Sequence, residues 1–303
     1  MLAILTHAKS FIFSHKIIVK IILFILLFIL GTTLVYIFFP VHEDYVPGSK
    51  WYTGVDWKNS FRPATLNLYS LRSPYIPGTF NPPWAFIPLL PIALLPADLG
   101  VAVMFTLNLF VIALVAHKLG AKPLAIVILL FSPPVLLSSF NCNIDWMVAL
   151  GLIVPPPIGI FLVLVKPQAG LIIALFWCYQ AWKRGRIRAL SILLIPVIMA
   201  TIISIFVYPT WLWQLFEVGK YNYNISLWPN LIPLGLILTF LALRKSQIRF
   251  AVLASPFLSP FVALTSFSIT LLGLLPSISE LFVAVSGLWL VQIIGRWMIP
   301  VPW

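Results

Sequence analysis

The sequence is short of charge, and above all of acidic residues. Only 9% of its 303 residues are charged, and just seven are aspartate or glutamate. A soluble domain carries about 25% charged residues, so a chain that is 61% hydrophobic lacks the polar surface that water requires. This composition excludes an ordinary soluble protein and predicts an integral membrane protein.

The motifs of several enzyme classes are also missing. No GxxxxGK[ST] or GxGxxG segment is present, so no loop for a nucleotide phosphate is expected. HExxH and GxSxG are absent, the four histidines lack the spacing of a zinc site, and Cys142 and Cys178 form no CxxC. We therefore expect no cofactor, and the composition leaves a divalent metal open.

Lysine and arginine dominate the charge, and the net charge is +12. Twelve of these basic residues fall into four groups that contain no acid and lie beside apolar runs. The groups are Lys9, Lys16 and Lys20; Lys118 and Lys122; Lys183, Arg184, Arg186 and Arg188; and Arg244, Lys245 and Arg249. Basic loops favour the cytoplasmic side of a membrane. The pattern therefore indicates topology, and we expect membrane lipids and no nucleic acid among the partners.

The apolar runs predict one all-α, polytopic membrane domain over residues 1–303, with about eight to ten membrane helices. The run at 17–39 is long enough to cross a bilayer. It resembles a signal peptide in part, but no small-residue cleavage site follows, so we interpret it as a retained first span. A large outer catalytic loop is predicted at 40–83, with the remaining helices at 84–295. With the basic groups inside, the N-terminus is cytoplasmic and the chain belongs in the cell membrane.

Prolines interrupt several of these runs. Residues 147–154 and 158–165 form two half-length runs hinged at "PPP", and we interpret them as a re-entrant hairpin that returns Lys166 to the outer side. Runs at 123–139, 169–182 and 190–208 are interpreted as helices, the last two separated by the basic group at 183–188. Irregular backbone at membrane depth is tolerated when it is buried in protein or lines a cavity. The breaks therefore predict an outward-facing cavity.

Three short motifs on the predicted outer side contain candidate functional residues. Asp56, in "GVDWKNSF", is either a solvated loop carboxylate or, if partly desolvated, a general base. Asn143 and Asp145, in "NIDW", fit a helix N-cap or a substrate contact. Lys166, in "VKPQ", fits a lysine that extends to the membrane interface or a ligand for phosphate.

The outer elements also occur in a recognisable order. After the outer-loop Asp56 come "FRPATLNLYSLRSPY", "FNPPWAFIPLLPIALLP", "NCNIDWMVALGL", "LVKPQAGLIIAL", "NYNISLWP" and "ASPFLSPF". This series resembles the GT-C glycosyltransferases, in particular the polyprenyl-phosphate-mannose-dependent mannosyltransferases of family 87, over about residues 50 to 265. The chain departs from that pattern at Asn81, Asn141 and Asn143, where the family more often has tyrosine, glycine and glutamine.

The resemblance implies a GT-C-like helical bundle and an inverting hexosyltransferase. Such an enzyme would transfer a hexose, mannose by resemblance, from a polyprenyl-phosphate donor to a lipid-linked or envelope acceptor on the outer face. Asp56 would be the general base. The donor phosphate would lie near Lys166, Arg62 and Arg72, and the expected substrate-binding residues are Asn143, Asp145, Gln168, Tyr75 and Asn224.

Two other functions fit a chain of this composition. A transporter or flippase for a lipid-linked sugar would show broken helices with polar sites at the midplane, together with an internal repeat. We find no convincing repeat in the sequence. A non-catalytic subunit of a membrane assembly is the other alternative.

Overall fold

The structure is a computed structural model that describes residues 2–42, 52–217 and 224–298. Parts of the predicted outer loop, 43–51, and of the segment before Asn224, 218–223, lie outside the described residues. Within the described ranges the regular elements are all helical. They are α1 (Leu2–Phe38), a π-helical turn (Trp57–Phe61), α2 (Arg62–Tyr69), two 3-10 turns (Pro83–Ala85 and Ile87–Leu89), α3 (Leu90–Ala93), α4 (Ala97–Lys118), α5 (Pro123–Leu130), α6 (Pro133–Asn141), α7 (Asp145–Gly151), α8 (Pro156–Val163), α9 (Pro167–Val207), α10 (Trp211–Glu217), α11 (Ile232–Lys245), α12 (Ile248–Ala254), two 3-10 turns (Ser255–Leu258 and Leu264–Ser266), α13 (Phe267–Leu272) and α14 (Ile278–Met298).

The chain is a helical membrane protein by the length and apolarity of its helices. In the described ranges three helices are long and apolar enough to cross a membrane: Ile18–Phe38 of α1, all of α4, and α9. The bent pair α5 and α6 would make a fourth, and the other apolar segments, such as Ile278–Ile294, are shorter. Helices of spanning length thus account for three or four of the eight to ten predicted membrane helices. The full number and the GT-C arrangement stay predictions.

Helix α4 forms the centre of the bundle. In its most apolar stretch 61% of the residues are buried inside the protein, against 11% in α1 and 17% in α9, whose side chains mostly face outward. Helix α1 packs closely on α4, where a Cβ on Gly31 would lie 3.2 Å from Thr106. The rings of Phe24 and Phe28 meet Phe110 edge to face at centroid distances of 5.3 and 5.5 Å. These contacts hold α1 against the middle of α4.

Proline sets where the short helices begin. Helices α5, α6, α8 and α9 start at Pro123, Pro133, Pro156 and Pro167. Proline suits the first helical position because the backbone N–H it lacks has no partner there. The run at 123–139, predicted as one helix, is instead bent by 59° between α5 and α6. The bend was not expected from the sequence, but the pair still passes as one span by length and apolarity.

Helices α7 and α8 form the predicted hairpin. They have seven and eight residues, or about 10 to 12 Å each, against about 30 Å of bilayer core. Their packing is backbone to backbone. A Cβ on Gly159 of α8 would lie 2.6 Å from the carbonyl oxygen of Gly151 of α7. The start of α9 packs on α8 in the same way, since a Cβ on Gly170 would lie 1.9 Å from the carbonyl oxygen of Val163. Two such short helices return the chain to the level at which it entered, so Asp145 and Lys166 come to the same end.

Helix α9 is broken where the sequence predicts a basic linker. Its 41 residues would span about 60 Å, twice the thickness of a bilayer core. Non-helical backbone interrupts it at Gly185 (φ −149°, ψ 21°) and Arg186 (φ 47°, ψ −131°). The break divides α9 at the position that separates the runs predicted at 169–182 and 190–208.

Candidate functional site

The segment that carries Asp56 is fastened to α4 and α6. The N–H of Gly54 donates to the carbonyl oxygen of Phe140 at 2.7 Å. Gly54 has φ +86°, and a Cβ there would lie 2.5 Å from Cγ2 of Val101. A side chain at position 54 would be both strained and obstructed. Glycine therefore allows the backbone to enter the groove beside α4 that places Asp56.

Trp57 and Lys58 hold the same segment from the other side of Asp56. Trp57 is fully buried, and a Cβ on Gly100 of α4 would lie 2.6 Å from its indole nitrogen. The Lys58 ammonium pairs with Asp98 at 3.1 Å and donates to the Val41 carbonyl oxygen at 2.7 Å. The region predicted as a loop is thus folded at Asp56, and the π-helical turn and α2 follow it directly.

Asn143 is the direct partner of Asp56. Its Nδ2 donates to Oδ2 of Asp56 at 2.5 Å. The surrounding protein raises the pKa of Asp56 to about 6, chiefly because burial disfavours the charged form and to a small extent because of the Asp145 charge. The positive charge of Lys166 and the Asn143 hydrogen bond oppose that rise. Asp56 therefore titrates near neutrality, where a carboxylate can accept a proton and later release it.

Asp145 and Lys166 form a buried ion pair beside this contact. Nζ of Lys166 lies 2.8 Å from Oδ1 of Asp145, and the two side chains are 6% and 0% exposed. Oδ2 of Asp145 accepts a hydrogen bond from Ser138 at 2.9 Å. The interpretation of Lys166 as a lysine extending to the interface is therefore wrong for this structure. Its stem is buried and its ammonium is directed into the protein.

The helix-cap interpretation of "NIDW" is also wrong. Asp145 is the first residue of α7, and the residue before that helix makes no side-chain cap. Oδ1 of Asn143 accepts from the N–H of Ile144, the next residue, while its Nδ2 is given to Asp56. Both polar side chains are thus used for tertiary contacts.

A second segment supports Lys166 from behind. Nδ2 of Asn81 donates to the carbonyl oxygen of Val165 at 2.9 Å, and Nε1 of Trp84 donates to that of Phe161 at 3.2 Å. "FNPPW" thereby packs against the C-terminal half of the hairpin. Asn81, noted in the sequence as a departure from the family pattern, fixes the backbone immediately before Lys166.

Sequence reasoning missed two residues of this network. Asn108 lies inside α4 and is 1% exposed, and its Nδ2 donates to the carbonyl oxygen of Asn143 at 2.8 Å. Ser138, inside α6, is 2% exposed and donates to Asp145. Both lie within runs that the sequence analysis treated as uniformly apolar. An asparagine within a spanning helix was itself the available signal, because polar groups there are costly unless they have partners.

Within the described ranges, the predicted arginine ligands have no contact that joins them to this network. Nη2 of Arg62 donates to the Leu95 carbonyl oxygen at 3.3 Å, and Arg72 is exposed at the surface. Gln168, in the first turn of α9, is partly buried and near Lys166 in sequence. Their roles toward a phosphate or a substrate stay predictions.

Tyr75 and Asn224 serve other segments. The Tyr75 hydroxyl donates to the carbonyl oxygen of Asn81 at 3.2 Å, which connects it indirectly to the Lys166 side. Burial raises the pKa of Tyr75, so it stays a neutral phenol. Asn224 donates to Pro260 at 3.0 Å and accepts from Val262 at 3.0 Å. Asn224 thus holds two surface segments together, and a substrate role for either residue stays a prediction.

The resulting group comprises two carboxylates, one ammonium and two amides. Four of the predicted site residues, Asp56, Asn143, Asp145 and Lys166, come together from three separate segments. In the described part of the chain no three histidine, cysteine or acidic side chains gather as a metal site would require. The arrangement can accept a proton at Asp56 and offer positive charge at Lys166.

Comparisons with other proteins give no assignment. No family model matches the chain, no curated protein matches it, and no solved structure matches it. The fold and site therefore define a class, a helical membrane protein with a buried polar cluster where several helix ends meet.

Proposed function

We propose that the chain is a membrane glycosyltransferase that transfers a hexose, mannose in our proposal, from a polyprenyl-phosphate donor to a lipid-linked or envelope acceptor. The reaction takes place on the outer face of the cell membrane with inversion at the sugar. The observation that carries the proposal is the part-buried Asp56, held by Asn143 next to the Asp145–Lys166 ion pair.

The chemistry follows from the ionisation of Asp56. With a pKa of about 6, its carboxylate is the major form at pH 7. As the acceptor oxygen attacks C1 of the hexose, its proton moves to Asp56. The bond between C1 and the phosphate oxygen breaks, and the polyprenyl phosphate leaves with the electron pair. Attack opposite to the leaving group inverts the configuration at C1.

Lys166 supports departure of the phosphate. An ammonium has three N–H donors, and the bond to Asp145 uses one of them. We assign the other two to phosphate oxygens, on which negative charge develops, an arrangement most effective in a water-poor site. Asp145 offsets part of this charge. We therefore assign it the role of holding Lys166 in place, and a phosphate must compete with it for the cation.

Transport of a lipid-linked sugar is the second candidate. It is favoured by one observation, the burial of the Asp145–Lys166 ion pair at helix ends, close to a polar Asn108 inside the span α4. Buried ionisable groups of this kind also occur in transport pathways.

The test is transfer by the purified protein in nanodiscs. Radiolabelled polyprenyl-phosphate mannose is the donor, and a total envelope lipid extract supplies the acceptor. The wild type should form labelled lipid product at a rate that rises with pH through about 6. Asp56→Asn should reduce the rate by about 10² to 10⁴. Glu280→Gln, a change at an exposed carboxylate on α14, is the matched control and should retain the rate.

Two results would contradict the proposal. One is a normal rate in folded Asp56→Asn. The other is an absence of product in nanodiscs combined with movement of the intact labelled donor between the leaflets of proteoliposomes, which is the outcome that transport predicts.

A further inference from the structure

Asn108 makes a contact that its own helix does not need. Its Nδ2 carries two hydrogens; one is donated to Met104, four residues earlier, at 3.3 Å, and the other to the carbonyl oxygen of Asn143 at 2.8 Å. The second bond joins residues 35 positions apart in sequence. It runs from inside the central span to the residue whose side chain holds Asp56.

Thr106 shows how a polar side chain at this depth can be satisfied without such a contact. It is also buried in α4, and its hydroxyl donates to the carbonyl oxygen of Ala102, four residues earlier, at 2.9 Å. Local bonding of this kind meets the need of a polar group in an apolar span. Asn108 goes further, since its amide reaches the backbone of another segment.

The partners of Asn108 are placed on both sides of the site. Its Nδ2 meets the backbone of Asn143, and its Oδ1 lies 3.4 Å from the hydroxyl of Ser138. Ser138 gives its shorter bond, 2.9 Å, to Asp145. One asparagine thus contacts both the residue that holds Asp56 and the residue that supports the acid of the ion pair.

We propose that Asn108 is a positioning residue, which fixes the Asn143 backbone so that the Asn143 amide stays on the carboxylate of Asp56. The proposal about geometry stands on the contacts alone. Only its consequence for the reaction rate rests on the proposed transfer function.

Loss of the hydrogen bond from Asn108 to Asn143 is expected to raise the pKa of Asp56. A hydrogen bond to the charged form of an acid lowers its pKa, and the Asn143 amide acts in this way on Asp56. If Asn143 shifts, Asp56 loses that bond and holds its proton to higher pH. Charged and titratable groups surround Asp56 on every element packed against it. They are Lys58 on its own segment, Asp98 on α4, Cys142 and Asp145 at the α6–α7 connection, and Lys166 at the α8–α9 junction. The variants below leave all of them in place.

The test measures protonation of Asp56 directly. The chain has four aspartates, Asp44, Asp56, Asp98 and Asp145. Infrared difference spectra of protein labelled with carboxyl-¹³C aspartate, recorded from pH 4 to 9, are therefore simple, and the Asp56 band is the one lost in Asp56→Asn. This readout requires no transfer activity.

Asn108→Thr is the main variant and Thr106→Val is the matched control. A threonine at 108 can bond locally as Thr106 does, so the helix stays satisfied while the bond to Asn143 is lost. The Asp56 midpoint should rise by about one pH unit, the worth of one hydrogen bond to a charged group. It should be unchanged in Thr106→Val, which loses a buried hydroxyl with local bonding only. Asn108→Leu, of similar volume, should repeat the shift.

An unchanged midpoint in folded Asn108→Thr and Asn108→Leu would overturn the proposal. An equal rise in Thr106→Val would also overturn it, because the effect would then be a general loosening of α4. Where transfer is active, the pH–rate curve of Asn108→Thr should move with the infrared midpoint and keep its rate at high pH. A shifted infrared midpoint without any transfer would support the role of Asn108 and contradict the proposed function alone.

Discussion

Asp56→Asn is expected to make the protein more stable at neutral pH while it abolishes transfer. The folded protein raises the pKa of Asp56 from 3.8 to about 6. A group whose pKa is raised by folding binds its proton more tightly in the native state. Its stabilising contribution is complete below about pH 3.8 and is lost as pH rises through about 6. Above about pH 6, the ionised carboxylate lowers the free energy of unfolding.

The magnitude follows from the same shift. A difference of about two pKa units corresponds to about 3 kcal/mol. The gain from substitution is smaller, because Asp56 retains some contact with solvent and because asparagine loses the attraction to Lys166. Asparagine still has an oxygen to accept the bond from Asn143. We expect Asp56→Asn to raise the free energy of unfolding by about 1 to 2 kcal/mol at pH 8 and to have little effect at pH 4.

The assay is thermal or denaturant unfolding in one detergent across pH 4 to 8, with wild type, Asp56→Asn and the exposed-site control Glu280→Gln. The difference between wild type and Asp56→Asn should grow with pH and reach its plateau above about pH 7. A difference that is independent of pH, or a variant destabilised at pH 8, would refute the argument that burial disfavours the charged form of Asp56. The control should show no pH-dependent difference from wild type.

Three further changes test other parts of the structure. Lys166→Ala should lower the free energy of unfolding by about 3 to 5 kcal/mol because it leaves Asp145 buried and unpaired. The double variant Lys166→Met, Asp145→Leu should recover most of that loss. An unaffected melting temperature in Lys166→Ala would contradict the buried pair. Trp84→Phe should lower the free energy of unfolding by about 1 to 2 kcal/mol, because the Phe161 carbonyl oxygen loses its donor. Denaturant unfolding measures this change, and no change would mean that water replaces the indole. Cysteines introduced at the exposed Ser73 and Ser246 should differ in intact cells: an impermeant maleimide should label position 73 and spare position 246, whereas the reverse pattern would invert the predicted topology.

A proline break explains the main difference between the predicted and observed helices, the bend between α5 and α6. Composition sufficed to predict a helical membrane protein, since 61% hydrophobic residues and few charges leave little choice of solvent. The hairpin of α7 and α8 was also predictable, because "PPP" divides a run too short to cross twice; its re-entrant placement in the membrane stays a prediction. The bend between α5 and α6 was not predicted, because an apolar run gives no sign of the direction in which a proline break turns the chain.

The sequence alone determined the class of the protein and the candidate residues Asp56, Asn143, Asp145 and Lys166, since rare polar residues in an apolar chain are visible one by one. Only the tertiary structure decided their partners: that Asn143 holds Asp56, and that Asp145 and not the solvent meets Lys166. These pairings depend on close backbone contacts at glycines and on Asn108 within α4. Sequence shows which side chains are available, but the hydrogen-bond partner of a buried group is fixed by what packing brings within about 3 Å of it.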